Sequence, residues 1–215
     1  MSTLRPRFAA AALALAGLLF LLYPALRPWH DETTAAGAAA SMGSSAWVAA
    51  HFFAMIGFIL VPLGMLALKP IAPAIVFWIG SGLVLPYYGA EDFGLHVFAT
   101  REGDLLAAVE AVRYQPVAVA MFGVGLLLIA VGAILTAVAW WNEGGLARWG
   151  SLIFAIAFTA YLPQFFTPAP VRIAHGVLVA IGCLAIAASL WQSRSAASTY
   201  DVERHSHLLR SLKRV

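Results

Sequence analysis

Charge is what this sequence has least of. Only 11% of its 215 residues are Asp, Glu, Lys or Arg, against about 25% in an average soluble domain. The hydrophobic share is 62% and the mean hydropathy is +0.85. A water-soluble globular domain is excluded because it has no means of hiding so much apolar surface, whereas a lipid bilayer does. The composition therefore predicts an all-α, polytopic integral membrane protein.

Cysteine and the common catalytic motifs are also scarce or absent. The single cysteine, Cys183, lies within an apolar run, so the chain has neither a disulfide framework nor a cysteine-based metal motif. The sequence lacks the HExxH, GxSxG, Walker and dinucleotide-binding patterns. No enzyme class is indicated by a sequence motif, and any chemistry must come from isolated polar residues.

Six apolar runs are long enough to cross a bilayer, which takes about 20 residues each. We predict six transmembrane helices in one bundle over residues 1–192, followed by a basic cytoplasmic tail at 193–215. The first run is interpreted as an uncleaved anchor, because a long polar stretch follows it instead of a cleavage region. The predicted spans are 8–24, 46–68, 71–99, 115–141, 149–166 and 170–192.

The distribution of basic residues predicts the orientation of the helices. If both termini are cytoplasmic, the cytoplasmic side carries a net charge of +6 and the outer side −3, which agree with the total of +3. Cytoplasmic loops of membrane proteins carry the excess of Lys and Arg. The chain is thus predicted to be a multi-pass protein of the cell membrane, and its basic excess indicates topology and not a nucleic-acid partner. Its predicted partners are membrane lipids, with a homo-oligomer or a larger membrane complex left open.

We predict different structures for two connections between helices on the outer side. Residues 100–113 carry an apolar stripe at helical spacing, which predicts a short helix, either at the outer interface or packed on the helix bundle. Residues 33–45 are small, which predicts a flexible outer loop without chemistry of its own.

Ionisable residues are confined to the outer part of the predicted membrane. Counting from the predicted helix ends, His51, His96 and His175 lie at one depth, about 5 to 8 Å below the outer surface. The third helix adds Glu91 and Asp92, with Tyr88 and His96 one turn to either side of Asp92. Arg172 lies at the outer end of the last helix. An ionisable residue inside a membrane helix is costly and indicates a functional site.

Imidazoles and carboxylates together are the ligands of a catalytic zinc ion, which lowers the pKa of a bound water to about 7. We therefore predict an outward-facing pocket that binds zinc or another transition metal, and a metal-dependent hydrolase of a lipid or amphiphile is the activity that such a site would support. Glu91 is the candidate general base, and Arg172 is a candidate binder of an anionic head group. The candidate metal ligands are His51, Asp92, His96 and His175.

Two alternatives remain open at this point. A haem would use two histidines as axial ligands, with Arg172 and Tyr88 as cofactor-binding residues at the propionates. Alternatively the polar cluster is structural, with Asp92 paired to His96 and Glu91 paired to Arg172. In that case the chain is a transporter of a neutral molecule or an accessory membrane subunit.

Overall fold

The computed structural model describes residues 4–101 and 103–212, with side chains from residue 6 to residue 192. All regular secondary structure in this part of the chain is helical. The predicted all-α class is confirmed.

Six long helices and three short ones make up the described chain. The long helices are α1 (Leu4–Leu26), α3 (Ser45–Met65), α4 (Ala72–Gly89), α7 (Pro116–Trp140), α8 (Gly145–Thr159) and α9 (Ala169–Leu212). The short ones are α2 (Ala35–Met42), α5 (Leu95–Ala99) and α6 (Leu105–Arg113). A π-helical turn, Ala90–Gly94, joins α4 to α5, and 3₁₀ turns follow α7 and α8 at Trp141–Glu143 and Pro163–Phe166.

Five helical segments are long and apolar enough to cross a membrane, which is consistent with a membrane-embedded helical protein. α8 has only 15 residues and falls short of that length. The predicted span 149–166 is therefore wrong in its bounds. The five segments are Pro6–Leu26, Ser45–Met65, Ala72–Ala99, Pro116–Glu143 and Ala169–Gln192.

Glycine and proline explain where α8 begins and ends. Gly144 and Gly145 have φ angles of 71° and 50°, a region that glycine adopts at little cost, so the chain turns sharply before the helix. Pro163 lacks the N–H that continues an α-helix, and the chain passes from Thr159 through a turn into the 3₁₀ segment.

The six long helices pack side by side in a closed ring. α1 contacts α3 and α9, α8 contacts α9 and α7, and α4 contacts α7 and α3. Aromatic rings from several helices fill the axis, with ring centroids 4.9 Å apart for Phe20 and Phe58 and 5.0 Å apart for Phe77 and Phe158. The centre of the ring is thus a packed core.

Helices α4 and α7 approach each other closely because glycines meet at their contact. A Cβ atom on Gly80 would lie 2.6 Å from the carbonyl oxygen of Gly125, and one on Gly125 would lie 2.8 Å from that of Gly80. Small residues allow this kind of backbone approach between membrane helices.

One end of the ring is covered by a cap, defined here as residues 27–44 and 90–115. The predicted loop at 33–45 is wrong, because it contains α2, whose first turn is capped by Thr34 Oγ1 accepting from the Gly37 N–H at 3.1 Å. The helix predicted within 100–113 is confirmed as α6, capped by Asp104 accepting from the Ala107 N–H at 3.0 Å. Met42, Trp47 and Val109 form a small apolar core beneath the cap.

The last helix extends well beyond its predicted end. α9 continues from the predicted sixth span, 170–192, through the predicted tail as far as Leu212. Residues 213–215 of the tail lie outside the described residues.

Candidate functional site at the capped end

Two arginines and two glutamates alternate in a chain of ion pairs within the cap. Arg113 donates from Nε to Glu91 Oε1 at 2.6 Å and from Nη2 to Glu91 Oε2 at 3.1 Å. The same Nη2 donates to Glu32 Oε2 at 2.9 Å, and Arg27 donates to Glu32 Oε1 at 2.6 Å. The network ties α6, the π-helical turn and the segment after α1 to one another.

Arg113 is the centre of this network. Burial by itself lowers the pKa of Arg113, but the charges and hydrogen bonds of Glu91 and Glu32 raise that pKa above its ordinary value. The structural alternative, in which Glu91 pairs with Arg172, is wrong. α6 brings Arg113 to the π-helical turn, and no spacing in the sequence links residues 91 and 113.

Arginine side chains also stack on aromatic rings in this region. The Arg27 guanidinium lies 4.4 Å from the ring centroid of Trp29 and 4.7 Å from that of Trp47. The Arg172 guanidinium lies 4.9 Å from the centroid of the same Trp29 ring. The Arg172 Nε donates to Gln164 Oε1 at 3.0 Å, so this predicted head-group binder is held by an amide and by aromatic faces.

Each predicted histidine ligand has one ring nitrogen bonded to a backbone carbonyl. The pairs are His51 Nδ1 with Trp47 O at 2.9 Å, His96 Nδ1 with Met42 O at 2.8 Å, and His175 Nε2 with Ala157 O at 2.8 Å. Since a carbonyl only accepts, that nitrogen carries the hydrogen. In a neutral imidazole, the other nitrogen then carries the lone pair, which is the arrangement typical of metal-ligating histidines.

Two of these histidines belong to a buried tyrosine cluster. The His51 ring lies 5.4 Å from Tyr23 and 6.0 Å from Tyr88, and the His175 ring lies 5.2 Å from Tyr161. The Tyr88 and Tyr161 hydroxyls are 3.1 Å apart and hydrogen-bonded. The Tyr88 hydroxyl, which was predicted to bind a cofactor, is therefore hydrogen-bonded to another side chain of the protein.

His96 lies apart from that cluster, against the end of α2. Among the described residues, no three His, Cys, Asp or Glu side chains are arranged to hold one metal ion. The four-ligand set of His51, Asp92, His96 and His175 remains a prediction that the structure does not support.

Asp92 is the exceptional residue of the capped end. Its exposed fraction is 0%, and neither carboxylate oxygen has a hydrogen-bond partner in the described chain. Asp92 makes no hydrogen bond to His96, and the pairing that the structural alternative predicts is limited to an electrostatic interaction between the two side chains. An isolated carboxylate in such surroundings is strongly unfavourable unless something compensates for it.

The π-helical turn explains how neighbouring carboxylates acquire different surroundings. Glu91 and Asp92 both lie in Ala90–Gly94, where the wider turn interrupts the regular α-helix. Glu91 meets Arg113, whereas Asp92 is enclosed without a partner. Single π-helical turns within α-helices occur frequently at functional sites. Sequence periodicity missed this one, since a π turn has no apolar pattern of its own.

No protein-family model, no curated protein and no solved structure matches this chain. The functional conclusion therefore rests on the fold and on the geometry of the capped end. They establish a helical chain with several apolar segments of membrane-spanning length.

Proposed function

We propose that the chain is a six-span protein of the cell membrane, with both termini cytoplasmic and the cap outside. The ring supports this topology, because α8 occupies a full position in it between α7 and α9 despite its length. The turns Trp141–Glu143 and Pro163–Phe166 lengthen α8 at both ends. α8 is then a short sixth crossing.

Charge supports the same orientation. The described side chains at the uncapped end are mainly basic, with Arg7, Lys69 and Arg148 against Glu143. At the capped end, acidic residues outnumber basic ones, which fits an outer surface. Those acidic residues are Asp31, Glu32, Glu91, Asp92, Asp104 and Glu110.

Within this protein, we propose that the capped end binds a divalent metal cation at Asp92, with His96 as the second protein ligand. The unpartnered, fully buried carboxylate of Asp92 is the observation that carries the proposal. A bound cation supplies the ligand contact that both carboxylate oxygens lack in the described chain.

The chemistry of the two side chains suits zinc. Zinc takes carboxylate oxygen and neutral imidazole nitrogen as ligands, and a site with few protein ligands leaves positions for water. The hydrogen bond from His96 Nδ1 to Met42 O leaves Nε2 with a lone pair and fixes the orientation of the ring, as second-layer carbonyls do in metal sites.

Hydrolysis of a lipid or amphiphile would be a finer function of the same site. Both oxygens of Glu91 accept hydrogen bonds from Arg113, and this geometry does not favour Glu91 as the general base. Cation binding is therefore the conclusion, and hydrolysis and the haem alternative remain predictions without a supporting contact.

Titration of the detergent-purified full chain with Zn²⁺, prepared without a metal-affinity tag, tests the proposal. The wild-type protein should bind one equivalent, and Asp92→Asn should weaken binding at least tenfold, because the amide removes the charge and keeps the shape. Glu110→Gln is the matched control, since Glu110 is an exposed carboxylate in the same cap. Equal binding by wild type and Asp92→Asn, or no binding by wild type, would overturn the proposal.

The second ligand is tested separately. His96→Asn keeps an N–H donor for the Met42 carbonyl and removes the Nε2 lone pair, so Zn²⁺ binding should weaken while the thermal unfolding temperature changes little. His30→Asn, at an exposed position of the cap, is the control. Undiminished Zn²⁺ binding by His96→Asn would exclude His96 as a ligand.

A further inference from the structure

A wide apolar groove runs along the outside of the ring between α7 and α8. Its volume is about 770 Å³, within the range of sites that enclose a ligand of substantial size. Small side chains form its floor, whereas Val138 and Ile156 are 69% and 52% exposed at its walls. The floor residues are Ala137, Ala155 and Ala160.

Small side chains leave this space open, with Ala137 on α7, Ala155 on α8 and Ala160 directly after α8. The groove extends from Trp141 and Asn142 at the uncapped end to Pro163 beyond the end of α8. In the proposed topology, it therefore faces the lipid along much of the bilayer.

A fixed cation lies beside the uncapped end of the groove. The Arg148 Nε donates to the Trp141 carbonyl at 2.7 Å, and the guanidinium lies 4.9 Å from the Trp141 ring centroid. The Nη groups of Arg148 have no hydrogen-bond partner among the described residues. A guanidinium held in this way has donors left for a phosphate.

The surrounding charge favours an anion at this position. Among the described side chains at the uncapped end, the acidic residue is Glu143 and the basic residues are Arg7, Lys69 and Arg148. Basic residues therefore outnumber acidic ones at this end. Asn142 adds an amide to the mouth of the groove. Basic pockets of this kind on the cytoplasmic side bind anionic lipid head groups.

We propose that the groove binds one anionic phospholipid, with an acyl chain along the alanine floor and the phosphate at Arg148. The length and the apolar lining of the groove match an acyl chain, and the Arg148 guanidinium at one end matches the phosphate. A helix of a second chain would also fit an apolar groove, but it would leave the free guanidinium donors of Arg148 without a partner.

Native mass spectrometry of the full chain released from nanodiscs of mixed phosphatidylcholine and phosphatidylglycerol tests this proposal. One phosphatidylglycerol should stay bound to the wild-type protein. Arg148→Gln should reduce the retained fraction about fivefold, since a basic residue near an anionic lipid contributes about 1 kcal/mol. Lys69→Gln removes the same charge at the same end, outside the groove, and should retain the lipid.

Filling the groove provides an independent check. Val138→Trp should displace the phospholipid, whereas Leu127→Trp, at an exposed position of α7 outside the groove, should not. Equal retention by wild type, Arg148→Gln and Val138→Trp would overturn the proposal, as would a lipid-free dimer. The Asp92→Asn variant should retain the lipid, because this groove and the cation site are separate.

Discussion

Arg113 shows how a single residue organises the capped end. It joins Glu91 in the π-helical turn to Glu32 in the segment after α1, and its side chain is 21% exposed. Two carboxylates that face one guanidinium are stable only while that guanidinium is present. The charge of Arg113 therefore holds elements together that are far apart in sequence.

Replacing Arg113 by glutamine should destabilise the protein by about 3 kcal/mol, because Glu91 and Glu32 lose their shared partner while remaining largely buried. Arg113→Lys should cost less, since it keeps the charge but loses the two-pronged contact. Thermal and chemical unfolding in detergent measure both effects.

Glu91→Gln combined with Arg113→Gln supplies the control, because it removes the unpaired charge of Glu91. This double variant should recover part of the stability lost by Arg113→Gln. Equal unfolding of Arg113→Gln and the double variant would show that the unpaired charge of Glu91 does not destabilise the protein.

Residue types were easier to predict than their partners. The sequence indicated that His51, Glu91, Asp92, His96, His175 and Arg172 gather at the outer end, and the structure places all of them at the capped end. It did not indicate that Arg113 pairs with Glu91, or which backbone carbonyl binds each histidine. Those contacts depend on the placement of α6 and on helix rotation, which periodicity over apolar helices does not define.

At the scale of the elements, the contact between α4 and α7 gives the clearest prediction. Gly80→Ala should destabilise the protein by about 1–3 kcal/mol, because the new methyl group meets backbone atoms of Gly125 and Ile129 that cannot move aside. Unfolding in detergent measures the loss.

Gly82 offers a matched control on the same helix. A Cβ atom there meets nothing within 4 Å, so Gly82→Ala should be neutral or stabilise by up to about 1 kcal/mol. Equal destabilisation by the two substitutions would indicate a loss of helix flexibility instead of a steric clash at the α4–α7 contact.

Helix positions followed from apolar runs wherever the run was long. α1, α3, α4 and α7 lie close to their predicted ranges because membrane-length apolar segments leave little freedom. The sequence was less informative where a capping residue determines the start of a helix, as Thr34 does before α2, and where a turn ends a helix early, as after Thr159. Alanine-rich segments such as 35–40 suit either a loop or a helix, and burial against Met42 and Trp47 decides in favour of the helix.

At the scale of the whole molecule, the proposed topology predicts which positions face outward. Cys183 is buried, so single cysteines can be added without removing it. Glu110→Cys in the cap should react with a membrane-impermeant maleimide in intact cells, and Glu143→Cys should react only after permeabilisation. The unmodified chain is the control and should not be labelled.

The reverse labelling pattern would invert the orientation and place the cation site on the cytoplasmic side. Labelling of both positions in intact cells would contradict six crossings, because a single span, α7, lies between Glu110 and Glu143 and places them on opposite sides of the membrane.

The most direct test of the central claim is the location of a bound ion. Crystals of the full chain equilibrated with Zn²⁺ would give an anomalous difference map at the zinc absorption edge. We predict a peak within coordination distance of an Asp92 carboxylate oxygen and His96 Nε2, about 2.0–2.2 Å from each. A map without a peak at Asp92, or with the peak only at surface histidines such as His30, would contradict it.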